Sequence, residues 1–540
     1  MSLMPTAVLA ANEGGNGTEG DPYEVSSLAQ LTEALKKQQD TPIYINLTDD
    51  ITLTDHITID KSVVIDGAKT DGSGNYSISG KIIAVSGNDT TVTFRNVDLT
   101  REESGTATLD VGSKDGAPDN TTPTVNLKNC TVSMKNSTSS TYDIAAIRLN
   151  SGTLNIEESK VISENNTSTK NGSYTAAVLL DSTTQSSNAT RKLTVKNSTL
   201  TANKYYAIKT FPNVSNADID ITDSILEGTY TLMLYGDDTT VDVDNSTVKG
   251  WCAFYLKDGS NNVAINIKTR SKIECTNTKT DPTNNFAAIL FEGTGGTVTL
   301  DETSSITCTG GGTANNQQYV ASFYNEADSA SNQLTLNGSV SVSNNANGLY
   351  FTYSQNGDLG ALANPQENAG QKVVYGDTFE VANDEPYFQT LNADETIKNT
   401  YTSLDAAISG AEENDSIAMH GDSTETITVN KPLTIQRNGY TASGLSAGDD
   451  YAILTTGTEY KIVKIEKGTP VSNTIAAVGF KADGETANNA INAEIESLDG
   501  TSGTVNDCAP NTMYIILGSR VTGQAYTIQV KKGEAEVYIA

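Results

Sequence analysis

The chain has 540 residues, with 35 Lys plus Arg against 66 Asp plus Glu and a formal charge of −31. That sign repels phosphate backbones and anionic membranes, which excludes nucleic acid as a partner. A chain this long exceeds one ordinary core, so several domains or one repetitive array is expected. Only 19% of residues are charged, so Ser, Thr, Asn and Gly carry the polarity, a composition of short strands and turns.

Residues 1–20 read as a leader. Met-Ser-Leu resembles a vector-derived start, and the Ala-Val-Leu-Ala that follows resembles a signal-peptide cleavage site. On that reading the mature protein is extracellular, either secreted or wall-associated, and bacterial. The Asn-x-Ser/Thr triplets at Asn46, Asn129, Asn197 and Asn245 are then turn chemistry and not glycan acceptors. No run of 18 apolar residues exists, so no membrane-spanning helix is expected. The five cysteines lack a CxxC pair, which argues against zinc and against a disulfide scaffold.

The segment 26–67 opens the fold. Ser27 with Gln30 forms a capping box, and Leu28, Leu31 and Leu35 give a short helix one apolar face. From residue 90 a phrase of alternating burial recurs. It reads TVTFRNVDLT at 91–100, TVNLKNCTVSM at 124–134, TLNIEESKVIS at 153–163 and KLTVKNSTLTA at 192–202. DIDITDSILEG at 218–228 and TVDVDNSTVKG at 240–250 follow, with looser copies at 264–275, 297–308 and 334–343. Its first apolar anchors are Val92, Val125, Leu154, Leu193, Ile219, Val241, Ile265, Val298 and Leu334. Their separations run from 22 to 39 residues, because loops vary while the phrase does not. A third short strand lies between phrases, as in AAIRL (145–149), AAVLL (176–180), LMLY (232–235), CAFYL (252–256), AAILF (287–291) and VASFY (320–324).

Three strands per repeat describe one coil of a parallel β-helix, an all-β solenoid whose coils bury a common core only by stacking. Asn96, Asn129, Asn197, Asp223 and Asn245 share one corner, where a short side chain tolerates left-handed backbone and can bond along the axis. Coil period, corner asparagines and entry segment together resemble the right-handed β-helix proteins of the pectin-lyase-like superfamily over 21–375. A short capping helix is expected at the open end, and a smaller β-rich module after the solenoid.

That module, 376–465, repeats the entry segment. Leu404 and Ile408 mark a helix, and strands are expected at Ser416–Met419, 427–429 and 433–435, with Lys431 answering Lys61. This order resembles the openings of repeats in large surface proteins of gut Firmicutes. Residues 466–540 read as a small C-terminal β domain.

Chemistry is sparse. The resemblance implies tests for calcium-binding carboxylates, a basic proton acceptor or paired acids, since many such relatives cleave acidic polysaccharides. Stacking Ile219 on Val241 sets Asp220 over Asp242 and Asp223 near Asn245, with Asp218 and Asp244 beside them. Asp220, Asp242, Asp223 and Asp244 are therefore candidate Ca2+ ligands, against the plainer reading of an acidic stripe neutralised by Lys192, Lys196 and Lys268. His56 and His420 read as surface residues, and Arg148 stands without a matching acid pair, so no catalytic constellation is recognised.

With Ile147, Val178, Met233, Phe254 and Ile289 pointing inward, Arg148, Leu179, Leu234, Tyr255, Leu290 and Phe323 point out. Tyr255, Phe323, Leu290 and Leu234 are thus the candidate carbohydrate- or partner-binding residues, unless the coils' own loops cover them. Tyr205, Tyr206, Tyr235, Trp251, Phe291, Tyr319, Tyr324, Tyr350 and Tyr353 thicken that region with rings. Cys275 and Cys308 share a register inside the core. The expectation is a monomeric, non-catalytic adhesin or glycan-binding stalk that meets a host or plant glycan or extracellular matrix. A polysaccharide lyase or hydrolase acting on acidic glycans, and a pure structural spacer, are the alternatives.

Overall fold

The structure, a computed structural model, describes residues 14–39, 42–102, 107–114, 117–119, 121–136, 144–165, 175–181, 190–278, 285–313, 316–323, 331–345, 350–353, 372–382, 386–393, 395, 397–455, 457–467, 477–480, 493–496, 512–516 and 527–530. Residues 1–13 of the leader, Tyr324 and Cys508 lie outside the described residues.

Each coil runs through three strands that join three separate sheets, and nearly every pairing within those sheets is parallel to the coil before and after. The first sheet has 13 strands, from Tyr23–Val25 to Lys372–Tyr375. The second has 12, from Ile51–Thr52 to Glu380–Val381, and the third 11, from Ile57–Ile59 to Phe351–Tyr353. The chain is a parallel β-helix. Every predicted anchor stands on the next: Val92 on Val125, Leu154 on Leu193, Ile219 on Val241, and Val298 on Leu334. The interior is filled by these columns, with Val125, Leu154, Leu193, Ile219 and Val241 all at 0% exposure. Burying one such side chain contributes roughly 1.5–3 kcal/mol, which no isolated coil could gain.

The corner between first and second sheets explains the recurrent asparagines. Asn96, Asn129, Asn197, Asp223 and Asn245 all have positive φ, between 44° and 53°. Glu158 takes the same place with φ 52° and interrupts the amide column. Asn129 donates to Asn96 at 2.8 Å and Asn245 to Asp223 at 2.5 Å, so the side chains bond along the axis as well.

The next residue inward forms a second column. Ser159, Ser198, Ser224, Ser246, Ser271 and Ser304 are all buried. Each hydroxyl accepts from the backbone amide of the coil before it, at 3.0–3.1 Å, beginning with Cys130 N to Ser159 Oγ and ending with Ser271 N to Ser304 Oγ. The amides at this tight corner face away from the strand ladder, and a hydroxyl supplies the acceptor that a buried N–H requires.

Helix α1 (Leu28–Lys36) lies at the start of the stack. Ser27 caps it by accepting from the Gln30 amide, and Gln30 Oε1 returns to the Ser26 amide at 2.9 Å. Leu31 and Ala34 are fully buried, whereas Leu35 is half-buried and Gln30 takes part of the inner face. Lys61 donates to the carbonyl of Lys37, the residue that ends the helix, at 3.2 Å. No helix among the described residues is long and apolar enough to cross a membrane.

The chain divides into two compact units, with the second comprising 347–350 and 383–540. Helix α2 (Leu404–Gly410) is capped by Ser403 and buries Leu404, Ala407 and Ile408. Strands Ser416–Met419, Ile427–Val429 and Leu433–Gln436 follow, as the repeated segment predicts. Lys431 donates to the carbonyl of Ala411, the C-cap of α2, so both lysines place a cation at the negative end of their helix. The copy then departs from a solenoid, because Leu433–Gln436 pairs antiparallel with Glu459–Lys467. Strands Ala477–Phe480 and Thr512–Ile516 continue that same sheet, which has eight strands.

Candidate functional site

The outer face of the third sheet carries the chemistry, and its register corrects part of the predicted column. Ile147, Val178, Ile208, Leu232, Phe254, Ile289 and Ala321 form one inward column. Met233 therefore shares the outward column of Tyr255, and Leu234 points inward beside Leu256. Phe323 also points inward, where its ring stacks on Phe291 at 4.7 Å. Side chains alternate with period two, so a one-residue slip exchanges the faces, and LMLY and VASFY are each offset by one from CAFYL. Leu290 does lie on the outward column with Tyr255, but at 6% exposure it is covered. Of the four predicted binding residues, Tyr255 alone is half-exposed on this face.

Around Tyr255 the rings gather. Tyr205 lies 5.7 Å from Tyr206, Tyr206 6.4 Å from Tyr230, and Tyr230 5.5 Å from Tyr255. Phe286 meets Tyr230 edge-on at 6.0 Å and Trp251 at 5.0 Å. Tyr205 and Trp251 come from the corner between second and third sheets, Tyr206, Tyr230 and Phe286 from the first positions of third-sheet strands, and Tyr255 from the fourth position of Cys252–Leu256. Beneath them, Ala145, Ala176, Leu179, Tyr206 and Met233 form a small buried cluster against which Tyr205, Phe211, Tyr230, Tyr235 and Tyr255 pack. The predicted apolar ridge is thus largely roofed by rings from its own coils. Tyr205 holds a φ of 79°, a left-handed geometry that an aromatic side chain disfavours and that tends to mark working sites.

Charged groups frame the rings. The Tyr255 hydroxyl donates to Glu292 at 2.5 Å, and Lys257 pairs with the same carboxylate while lying 5.3 Å from the Tyr255 ring centre. Burial first, and then Glu292, push the Tyr255 phenol far above its ordinary range, so it stays a donor. Lys209 lies 5.5 Å from the Tyr206 ring and 4.8 Å from Phe211. Cations over rings in this range contribute roughly 0.5–2 kcal/mol each.

A polar group occupies the same column nearer the N-terminus. Asp110 stands beside Arg148 in register, and Arg148 Nε approaches Asp181 at 3.3 Å, so this arginine does have two acids. Asp110 is 0% exposed and accepts from Asn150 at 2.5 Å, while its second oxygen, Asn150 Oδ1 and Arg148 Nε lack hydrogen-bond partners. Burial raises the Asp110 carboxyl to about 6, although Arg148 and the Asn150 bond oppose the rise. The short strand Ala107–Val111 that carries Asp110 reads only as TLDV, and aligning it with AAIRL would have revealed the pair.

On the outer face of the first sheet, Asp220 does stack beside Asp242. Lys192 bridges Asp218 at 2.8 Å and Asp220 at 3.3 Å, and Lys268 meets Asp242 at 2.9 Å. Burial works to raise Asp242, but the bonds from Lys268 and Asn266 outweigh it and hold the carboxyl below its usual range. Asp223 accepts from Asn245, and Asp244 follows one position beyond the Val241–Val243 pair. Among the described residues no group of three or more His, Cys, Asp or Glu is placed to hold a metal ion. Lys196 faces Glu157 instead of the aspartates.

The described cysteines are withdrawn. Cys275 stacks on Cys308 in the core, and burial lifts the Cys275 thiol to about 12 and Cys130 to about 11. Thiols held so high carry little thiolate near neutral pH and are inert. His56 is exposed, accepting from the Ile82 amide at 3.1 Å, whereas His420 is half-buried and stacks on Tyr387 at 4.3 Å, which corrects its reading as a surface residue.

Comparisons with protein-family models, with curated proteins and with solved structures found no match to this chain.

Proposed function

We propose that this chain is a non-catalytic, extracellular glycan-binding stalk, a bacterial adhesin of the pectin-lyase-like β-helix type. One observation carries the reading: half-exposed rings at Tyr205, Tyr230, Trp251 and Tyr255 form one contiguous cluster at the edge of the third sheet, joined through Tyr206 and Phe286. Aromatic faces stack on the apolar faces of sugars while phenol and indole edges bond their hydroxyls. The solenoid suits a stalk, since stacked coils give a rigid rod whose surface repeats at each turn. A glycan array probed with the full chain tests this. Binding that falls on both Tyr255→Ala and Trp251→Ala supports the reading. Binding that both variants leave unchanged places the site elsewhere, and an array with no signal removes the reading.

A second reading, a polysaccharide lyase or hydrolase, draws on Arg148 between Asp110 and Asp181. An acid of raised affinity for its proton near a second acid is the pattern of paired-carboxylate catalysis. Release of reducing ends or unsaturated products from a glycan bound by the array, abolished by Asp181→Asn, would favour it over the stalk.

A further inference from the structure

The rings on this face form a row, and its direction is set by the fold. Its half-exposed rings, Tyr205, Tyr230, Trp251 and Tyr255, come from the three successive coils that carry strands Tyr206–Thr210, Tyr230–Leu234 and Cys252–Leu256, with the buried rings of Tyr206 and Phe286 packed against them. Successive strands lie about 4.8 Å apart, so the exposed rings extend roughly 10 Å along the solenoid axis. Trp251 broadens one end, 5.0 Å from Phe286, and Tyr205 the other, 5.7 Å from Tyr206. A site for one terminal sugar needs one or two rings around a single pocket. Half-exposed rings on successive coils instead offer repeated stacking positions to a repeating ligand.

Charge selects among such ligands. Lys257 is engaged by Glu292, and Lys209 lies over the rings of Tyr206 and Phe211. A chain of uronic or sialic acids would have to displace these contacts and would enter the field of a protein carrying −31. A sugar hydroxyl meets neither obstacle. Tyr230, at the middle of the row, keeps its phenol protonated, since burial first and then Cys252, Glu292 and Tyr205 raise it to about 12, so its hydroxyl is a donor suited to a sugar oxygen.

Resting on the glycan-binding reading above, we infer that this face takes an unbranched, uncharged polysaccharide laid along the solenoid axis.

Calorimetric titration of the full chain with linear β-1,4-linked gluco- and manno-oligosaccharides of increasing length, from disaccharide to hexasaccharide, tests this beside oligogalacturonides of equal length. Affinity for one neutral series rises by about tenfold or more from the shortest to the longest member, and the matching oligogalacturonides bind about tenfold more weakly. Tyr230→Ala removes most of that length dependence. Tyr230→Phe, which keeps the ring and the fold, weakens binding by about threefold. Equal affinity for disaccharide and hexasaccharide, or tighter binding of oligogalacturonides, overturns the inference and leaves the glycan-binding reading intact. Absence of binding to every oligosaccharide and to the array overturns both.

Discussion

Replacing Ser224 with alanine removes the hydroxyl that accepts from the Ser198 amide at 3.1 Å and donates to the Thr222 carbonyl at 2.7 Å. Thr222 keeps a donor, the Asn197 amide at 3.1 Å, so its carbonyl is not stranded. The Ser198 amide is left facing a methyl group in a corner where Ser198 is 5% and Ser224 3% exposed. A buried donor deprived of its acceptor costs about 1–3 kcal/mol. Because long repeat arrays unfold in parts, the informative assay is local: native-state hydrogen exchange at the Ser198 amide, beside urea unfolding followed by circular dichroism. Protection at Ser198 falls by roughly tenfold to a hundredfold, at about 1.4 kcal/mol per decade. Ser343→Ala, at an exposed position on the second sheet, is the control and shifts stability by less than about 0.5 kcal/mol. If Ser224→Ala behaves like that control and Ser198 exchange is unchanged, the inner serine column does not hold the corner.

Phe323→Ala opens a cavity against the Phe291 ring and destabilises by about 3–5 kcal/mol in urea unfolding; a loss below about 1 kcal/mol would return Phe323 to the surface. The Asp110 carboxyl titrates near 6 in the folded chain against 3.8 without the fold, so the folded state holds the extra proton between those values. Stability from this group is therefore complete below pH 3.8 and is lost as pH rises through 6, by about 3 kcal/mol in all, with Arg148 and Asp181 as the charges that face it. Asp110→Asn flattens that slope, and equal slopes for both proteins between pH 4 and 7 would refute the assignment. Added calcium leaves the thermal midpoint unchanged while Lys192 and Lys268 hold the aspartates, and raises it in the Lys192→Met, Lys268→Met double variant. A calcium-dependent rise in the unmodified chain would show that the lysines do not fill that role.

The first sheet was legible because its inner and outer positions differ in kind. Val92, Val125 and Ile219 alternate with Thr, Asn and Asp, so the face of each residue can be read directly. Corner asparagines were legible because few residues with a side chain tolerate left-handed backbone. The third sheet hid its parity. Thr175–Leu180 and Phe286–Phe291 are buried at every position, and without alternation Leu234 and Phe323 could not be assigned to a face. The serine column was missed for a related reason, since a polar residue after a turn reads as solvated although Ser198, Ser224 and Ser246 are buried. Arg148's acids were hidden because Asp110 and Asp181 become its neighbours only once coils of unequal length are stacked. The lysine that closes each helix was visible as a repeat, Lys61 and Lys431, but its bond to the helix end was not.

Trp251 is the one tryptophan of the chain and lies within the ring row, so its fluorescence reports from the proposed site without a label. Titration with a neutral linear hexasaccharide should give a saturable change in Trp251 emission that Tyr230→Ala weakens severalfold. An emission spectrum that stays constant up to millimolar hexasaccharide of every neutral series tested would contradict the account.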